Sequence, residues 1–124
     1  IKQAVRADGL PSLTEYRVLE QIGGYTLLEA WPRTGRQHQL RVHFAALGHP
    51  VWGDLLYADE RLFLRYYANG CRLDDELPPR QGLHARELCF RHPVRDRELR
   101  ILAPPPPDFV AILERLRGQR PCGP

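Results

Sequence analysis

Apolar and polar positions change rhythm several times along the chain. Tyr16 to Gln21 and Tyr25 to Trp31 are two short runs rich in aromatic, aliphatic and β-branched residues, set on either side of Gly23-Gly24. Two such runs around a glycine pair predict a β-hairpin, because glycine takes a positive φ at low cost. Thr34-Gly35 ends the second run. Over Gln37–Leu47 the spacing lengthens, and Leu40, Phe44 and Leu47 recur at i, i+4 and i+7 with Val42 and Ala46 beside them. This is the period of an amphipathic helix, and it assigns Leu40, Phe44 and Leu47 to the core. Thr34 is the expected N-cap. Gly48 is the expected residue just past the helix end, and Pro50 prevents continuation.

The remaining chain is more broken. Residues 1–13 read as a lead-in segment without periodicity. Val51–Tyr57 reads as a strand end and a turn, Arg61–Tyr67 as a short helix, and the Gly-, Pro- and charge-rich stretch Ala68–Gln81 as an exposed loop. Leu83–Phe90 and Glu98–Leu102 predict a second hairpin, joined through His92-Pro93-Val94-Arg95-Asp96-Arg97. Pro104 to Pro107 form a stiff extended segment. After Asp108, the spacing of Phe109, Ile112, Leu113 and Leu116 predicts a last amphipathic helix, followed by a frayed tail over residues 119–124. Strands in hairpins with helices between them give an α+β class: an antiparallel or mixed sheet built from hairpins, with flanking helices.

Composition narrows this picture. A chain of 124 residues suits a single small domain. With 43% hydrophobic and 27% charged residues it has ordinary globular composition, which argues against wholesale disorder. The longest apolar runs are a few residues, far short of the roughly 20 that cross a membrane. Methionine is absent, and the sequence reads as one partial domain cut from a longer protein. Cys71, Cys89 and Cys122 are odd in number and widely spaced, which excludes a simple disulfide framework and suits a reducing cytoplasm.

Charge locates the chemistry. Lys and Arg total 18 against 15 Asp and Glu, a formal +3, and Lys2 is the sole lysine. From Ala30 to Gly53 there is no acid, while Arg33, Arg36, Arg41, His38, His43 and His49 fall within that window. A local basic window on a nearly neutral chain marks a site for an anionic partner. If the helix starts just after Gly35, its unpaired N–H groups and Arg36 make a phosphate seat, and Gln37, His38 and Arg41 can share one face. The plainer reading is a solvated helix with surface arginines. A metal site is disfavoured, because His38 and His43 are five positions apart, about 140° around an ideal helix. No Cys/His knuckle or GxSxG nucleophile motif is present.

The stretch Arg33-Thr-Gly-Arg-Gln-His-Gln-Leu-Arg-Val-His43, then Leu47-Gly-His-Pro-Val-Trp-Gly-Asp-Leu-Leu-Tyr57, then Leu83-His-Ala-Arg-Glu-Leu-Cys-Phe-Arg-His-Pro93, resembles the RNA pseudouridine synthase family, RluA branch. Ala103-Pro104 and Pro107-Asp108-Phe109 match the family's close. The resemblance covers most of Tyr16 to Leu116 and corresponds to the C-terminal half of that family's catalytic domain. It implies an isomerase that breaks a uridine N-glycosidic bond, turns the base and rejoins it through carbon, on rRNA or tRNA. It also implies no cofactor, no metal and no membrane, in a cytoplasmic, monomeric parent. The family's catalytic Asp lies in an HRLDxxTSG motif that this chain does not contain, so the chain alone is expected to be inactive. Cys71-Arg72-Leu73-Asp74 echoes part of that motif without its Thr-Ser-Gly, and Asp74 reads as part of a solvated acidic loop.

By the same resemblance, Arg41 matches the basic residue that faces the catalytic Asp. An arginine within about 4–6 Å lowers a carboxylate pKa by roughly 1–3 units. Without that partner, Arg41 is expected to be exposed. Arg36, Gln37 and His38 are expected to contact RNA phosphate or an extruded nucleotide. Leu83 or Leu88 is a candidate for the apolar surface under the target ring, with ordinary strand core the alternative for both. Asp54 is expected to cap the turn before Leu55–Tyr57, and His84 and His92 to be structural. Two other functions compete: a non-catalytic RNA-binding module of the same fold, and an interaction domain that docks through Pro104–Pro107.

Overall fold

The computed structural model describes residues 3–72 and 78–118. Asp74, the tail at 119–124 and Cys122 lie outside the described residues. The chain divides into two compact units, residues 1–82 and 83–124.

The first unit begins with a hairpin. Strand β1 (Thr14–Ile22) pairs antiparallel with β2 (Tyr25–Pro32), with Thr14 opposite Pro32 and Ile22 opposite Tyr25. Gly23 supplies the positive φ of the turn at +58°. The register slips between Val18 and Glu20, a bulge that the regular alternation of the sequence does not announce. Before the bulge the two faces differ in chemistry. Tyr16 meets the edge of Phe44 on one side, with ring centroids 5.7 Å apart. On the other, Arg17 pairs with Glu29 at 3.0 Å and Arg33 with Glu15 at 2.7 Å.

Helix α1 (Gln39–Ala46) lies against this hairpin. It is shorter at its start than the hydrophobic period suggests. Gln37 lies outside it, and the N-cap is His38, in the left-handed conformation with φ 57°, instead of Thr34. The stop is the expected one. Gly48 has φ +82°, its N–H donates to the Ala45 carbonyl and the His49 N–H to the Phe44 carbonyl, the paired bonds of a Schellman motif. The buried apolar residues of the described chain are Ile22, Val42 and Phe44. Leu40 is half-buried, and Leu47 is 59% exposed, which corrects its assignment to the core. Leu47 is the C-cap, and there the helix ends before its apolar stripe completes a further turn.

Val51–Tyr57 forms turns and no strand. Helix α2 (Glu60–Ala68) is capped by Asp59, whose side chain accepts from the Arg61 N–H. The stretch expected to be an exposed loop is in part packed: Pro78, Arg80 and Gln81 are half-buried. Gly82 N–H donates to the Trp52 carbonyl at 2.7 Å. Gly53, at φ +76°, lies so close to the Arg80 carbonyl that any Cβ there would collide with it.

The second unit holds β3 (Glu87–Arg91) and β4 (Glu98–Leu102), antiparallel with Glu87 opposite Leu102, and α3 (Pro107–Gly118). The strand begins at Glu87, four residues after the expected start at Leu83. Residues 83–86 lie outside the strand, and Ala103 N–H bonds the Arg86 carbonyl. Together the elements make the expected α+β arrangement, with both sheets antiparallel hairpins. Among the described residues no helix is long and apolar enough to cross a membrane.

Candidate active site on the first unit

Two buried polar side chains, Gln39 and Asp54, organise the part of the basic window around His38 and Arg41. Gln39 opens α1. Its amide NH2 donates to the Leu13 carbonyl and to Thr14 Oγ1, each at 2.9 Å. Its amide oxygen accepts from the Thr34 hydroxyl at 2.7 Å and the Arg36 N–H at 3.1 Å. All four hydrogen-bonding positions of the amide are used, which is what allows it to be buried. The effect is to tie the start of the helix to the start of β1 and to the turn at 34–36. Thr34 thus bonds Gln39 in place of capping the helix, and its oxygen also accepts the Leu13 N–H at 3.0 Å.

Within this frame His38 adopts φ 57°, a conformation that costs a non-glycine residue about 1–2 kcal/mol. It persists because its surroundings over-determine it. The His38 carbonyl accepts the Val42 N–H of the first helical turn. Its Nδ1 lies 2.7 Å from the Tyr57 hydroxyl, which also accepts the Gln3 N–H at 2.8 Å.

Tyr57 belongs to the turn that Asp54 organises. Asp54 has no exposed surface. One carboxylate oxygen accepts the Leu56 and Tyr57 N–H groups at 3.0 and 3.1 Å, the expected turn cap. The carboxylate also takes both prongs of Arg41, Nε to Oδ2 at 2.8 Å and Nη2 to Oδ1 at 2.9 Å. The Arg41 guanidinium lies 4.9 Å from the Tyr57 ring centre. Arg41 is therefore not the exposed cation expected from the sequence: its side chain is 16% exposed and engaged in a planar two-pronged pair. Burial pushes the Asp54 carboxyl up, but the Arg41 guanidinium and the two amides outweigh it and hold the group below the ordinary carboxylate value. The hydrogen bond to Asp54 raises Arg41 in turn.

The other sequence candidates are arranged less tightly. Arg36 is exposed, and its Nε donates to the Pro11 carbonyl at 3.0 Å. Gln37 is exposed and accepts from the Gln3 amide at 3.3 Å. Because the helix begins at Gln39, Gln37 and His38 do not share a helical face with Arg41. His43 points elsewhere, with Ser12 Oγ 2.9 Å from Nε2 and Thr14 Oγ1 2.8 Å from Nδ1. Leu83 lies in the second unit. His84 there bonds the Ala103 carbonyl at 2.8 Å, a structural contact.

Arg41, Gly53, Leu55 and Leu56, Phe63 and Tyr66 of α2, and Pro78–Gln81 line an open pocket of about 290 Å³. Its walls are mainly apolar, with the Phe63 and Tyr66 side chains beside Arg41 and Arg80, a composition that accepts a planar ring bearing polar groups. Sequence reasoning found Arg41 and missed Asp54 as its partner, as well as Gln39 and Tyr57. All three stand within the quoted motifs as polar residues beside apolar ones, Gln39 next to Leu40, Asp54 next to Leu55 and Tyr57 next to Leu56.

A family of RNA pseudouridylate synthases matches residues 1–46 of the chain. An uncharacterized RNA pseudouridine synthase of Mycobacterium bovis is 45% identical over 95% of this chain and 35% of its own length. Ribosomal large subunit pseudouridine synthase D of Xanthomonas campestris is 38% identical over 94% of this chain and 35% of its own. The same-named protein of Vibrio parahaemolyticus is 40% identical over 92% and 35%. The chain spans about a third of the length of these relatives.

Proposed function

The chain belongs to the RNA pseudouridine synthase family, and on that basis we propose that it supplies the Arg41 side of a uridine-isomerising site acting on ribosomal or transfer RNA. The reaction breaks the bond from C1′ to N1 of uridine and forms one from C1′ to C5. N1 gains a proton and C5 loses one, so nothing is consumed. The observation that carries this reading is the buried Arg41–Asp54 pair beside Tyr57, in a chain 45% identical to a relative named an RNA pseudouridine synthase. A guanidinium has five N–H donors. Asp54 takes two of them and leaves the others to face a reacting carboxylate or the base. An arginine already held this way needs no reorganisation as charge develops.

Arg36, Gln37 and His38 are the RNA contacts in this reading, and Leu83 offers an apolar surface to a base. The 124-residue chain carries no HRLDxxTSG stretch and by itself forms no pseudouridine. A carbodiimide primer-stop assay on rRNA and tRNA checks this, and turnover by the chain alone contradicts it.

The roles of the two arginines separate experimentally in the full polypeptide carrying these residues. Arg41→Ala should remove most turnover at saturating RNA, with affinity little changed. Arg41→Lys should recover only part, because the two-pronged geometry is lost. Arg36→Ala should instead weaken binding and lower the slope of log affinity against log salt by about one. If Arg41→Ala turns over normally at saturation and only binds more weakly, Arg41 is a phosphate contact and the site is misassigned.

A further inference from the structure

Outside the first unit, the densest basic feature is the tip of the second hairpin. Residues 91–97 carry Arg91, Arg95 and Arg97 against a single acid, Asp96, and Glu98 opens β4 just beyond. The tip is built rather than loose. His92 Nδ1 accepts both the Val94 and Arg95 N–H groups, at 3.1 and 2.9 Å. The His92 N–H bonds the Arg97 carbonyl at 2.9 Å, and the Arg97 N–H bonds the Arg95 carbonyl at 2.6 Å. A His92 ring that accepts two backbone donors at Nδ1 must carry its proton on Nε2. The backbone of the tip is thereby fixed before any partner arrives.

The charge is sorted in the same way. Arg91 pairs with Asp96, so the acid of the tip is already matched. Among the described residues neither Arg95 nor Arg97 is in an ion pair, and both are exposed. Val94 between them is 87% exposed, so the tip stands clear of the rest of its unit. One function of an ordered hairpin end with two uncommitted guanidiniums is to straddle neighbouring phosphates, where arginine's planar fork matches the oxygens.

We propose that the tip His92–Arg97 is a second RNA contact, in which Arg95 and Arg97 hold backbone phosphates. It rests on the reading that the chain acts on RNA. It differs from the site at Arg41 in needing no chemistry: the tip adds affinity and register and leaves the rate of isomerisation alone.

The test uses the full polypeptide with Arg95→Ala/Arg97→Ala, and with Arg95→Lys/Arg97→Lys as the charge-keeping control. RNA affinity is measured at several salt concentrations, and turnover at saturating RNA. Loss of two phosphate contacts should lower the slope of log affinity against log salt by about 1.4 to 1.8. Turnover at saturation should be unchanged, and the lysine pair should restore most of the slope. An unchanged slope in the alanine pair, with RNA binding and turnover intact in the parent, overturns this contact and leaves the proposed function standing. A parent that binds no RNA overturns both. Polyglutamate that binds as tightly as RNA, and loses as much affinity in the alanine pair, makes the tip a general polyanion patch and also overturns it.

Discussion

The two units differ in what they bury. In the first, Ile22, Val42 and Phe44 are buried together with Gln39 and Asp54, so polar residues are two of the five. In the second, none of the described residues is buried. Its hairpin puts Leu88, Phe90, Leu99 and Ile101 on one face and the charged Glu87, Arg91, Glu98 and Arg100, with Cys89 and Leu102, on the other, yet Leu88 and Ile101 remain 59% and 52% exposed. The lesson concerns how a small region can be precise. Apolar contact alone is non-directional, and the first unit has little of it. Directional bonds at Gln39 and Asp54 fix the start of α1 and the turn at 54–57, and these carry Arg41, His38 and Tyr57.

That contrast can be broken where it is strongest. Asp54→Ala leaves Arg41 without its buried partner and the Leu56 and Tyr57 amides without an acceptor. Removing one member of a buried pair costs about 3–5 kcal/mol, so denaturant unfolding should show a loss of that size in the full polypeptide. A loss under about 1 kcal/mol would mean that the pair is only a surface contact. Next in size is the apolar comparison. Phe44, 7% exposed, packs against Tyr16, whereas Phe90 is 37% exposed. Phe44→Ala should cost about 3 kcal/mol, at the lower end for a core aromatic because the cluster is small. Phe90→Ala should cost less, in proportion to the area it covers, and equal losses would erase the distinction between the units.

The smallest effect is on acid stability. Asp54 titrates below the ordinary carboxylate value in the folded chain, and at about 3.9 when unfolded. Its contribution is therefore fully present above the unfolded pKa and is lost as pH falls through the lower folded value. Asp54→Asn should flatten the fall in stability below about pH 4 while leaving the profile near neutrality parallel to the parent. Unfolding curves from pH 7 to pH 2 check this, and an unchanged acid limb would show that Asp54 does not drive it.

Much of the frame was legible in the sequence. Gly23-Gly24 between two strand-forming runs marks the first hairpin, and Gly48 marks the end of α1 at the correct residue. Both are local signals that a single residue's φ carries. The start of α1 was not legible, because the left-handed turn at His38 leaves no trace in hydrophobic spacing. It follows from what Gln39 and Tyr57 bond in three dimensions. Arg41 stood out by charge and motif, but its partner lies 13 residues away in sequence. No helical or strand period links those positions. Leu47 shows the converse, fitting the apolar period while falling where the helix stops and solvent begins.

In the proposed site Asp54 acts through Arg41, and the two work as one unit. This is tested most directly by a double-mutant cycle on turnover at saturating RNA, comparing Arg41→Ala, Asp54→Asn and the double variant in the full polypeptide. Each single change should slow turnover, and the double variant should be no slower than Arg41→Ala alone, since Asp54 has nothing left to hold. Losses that simply add in the double variant, as independent sites do, would contradict this coupling.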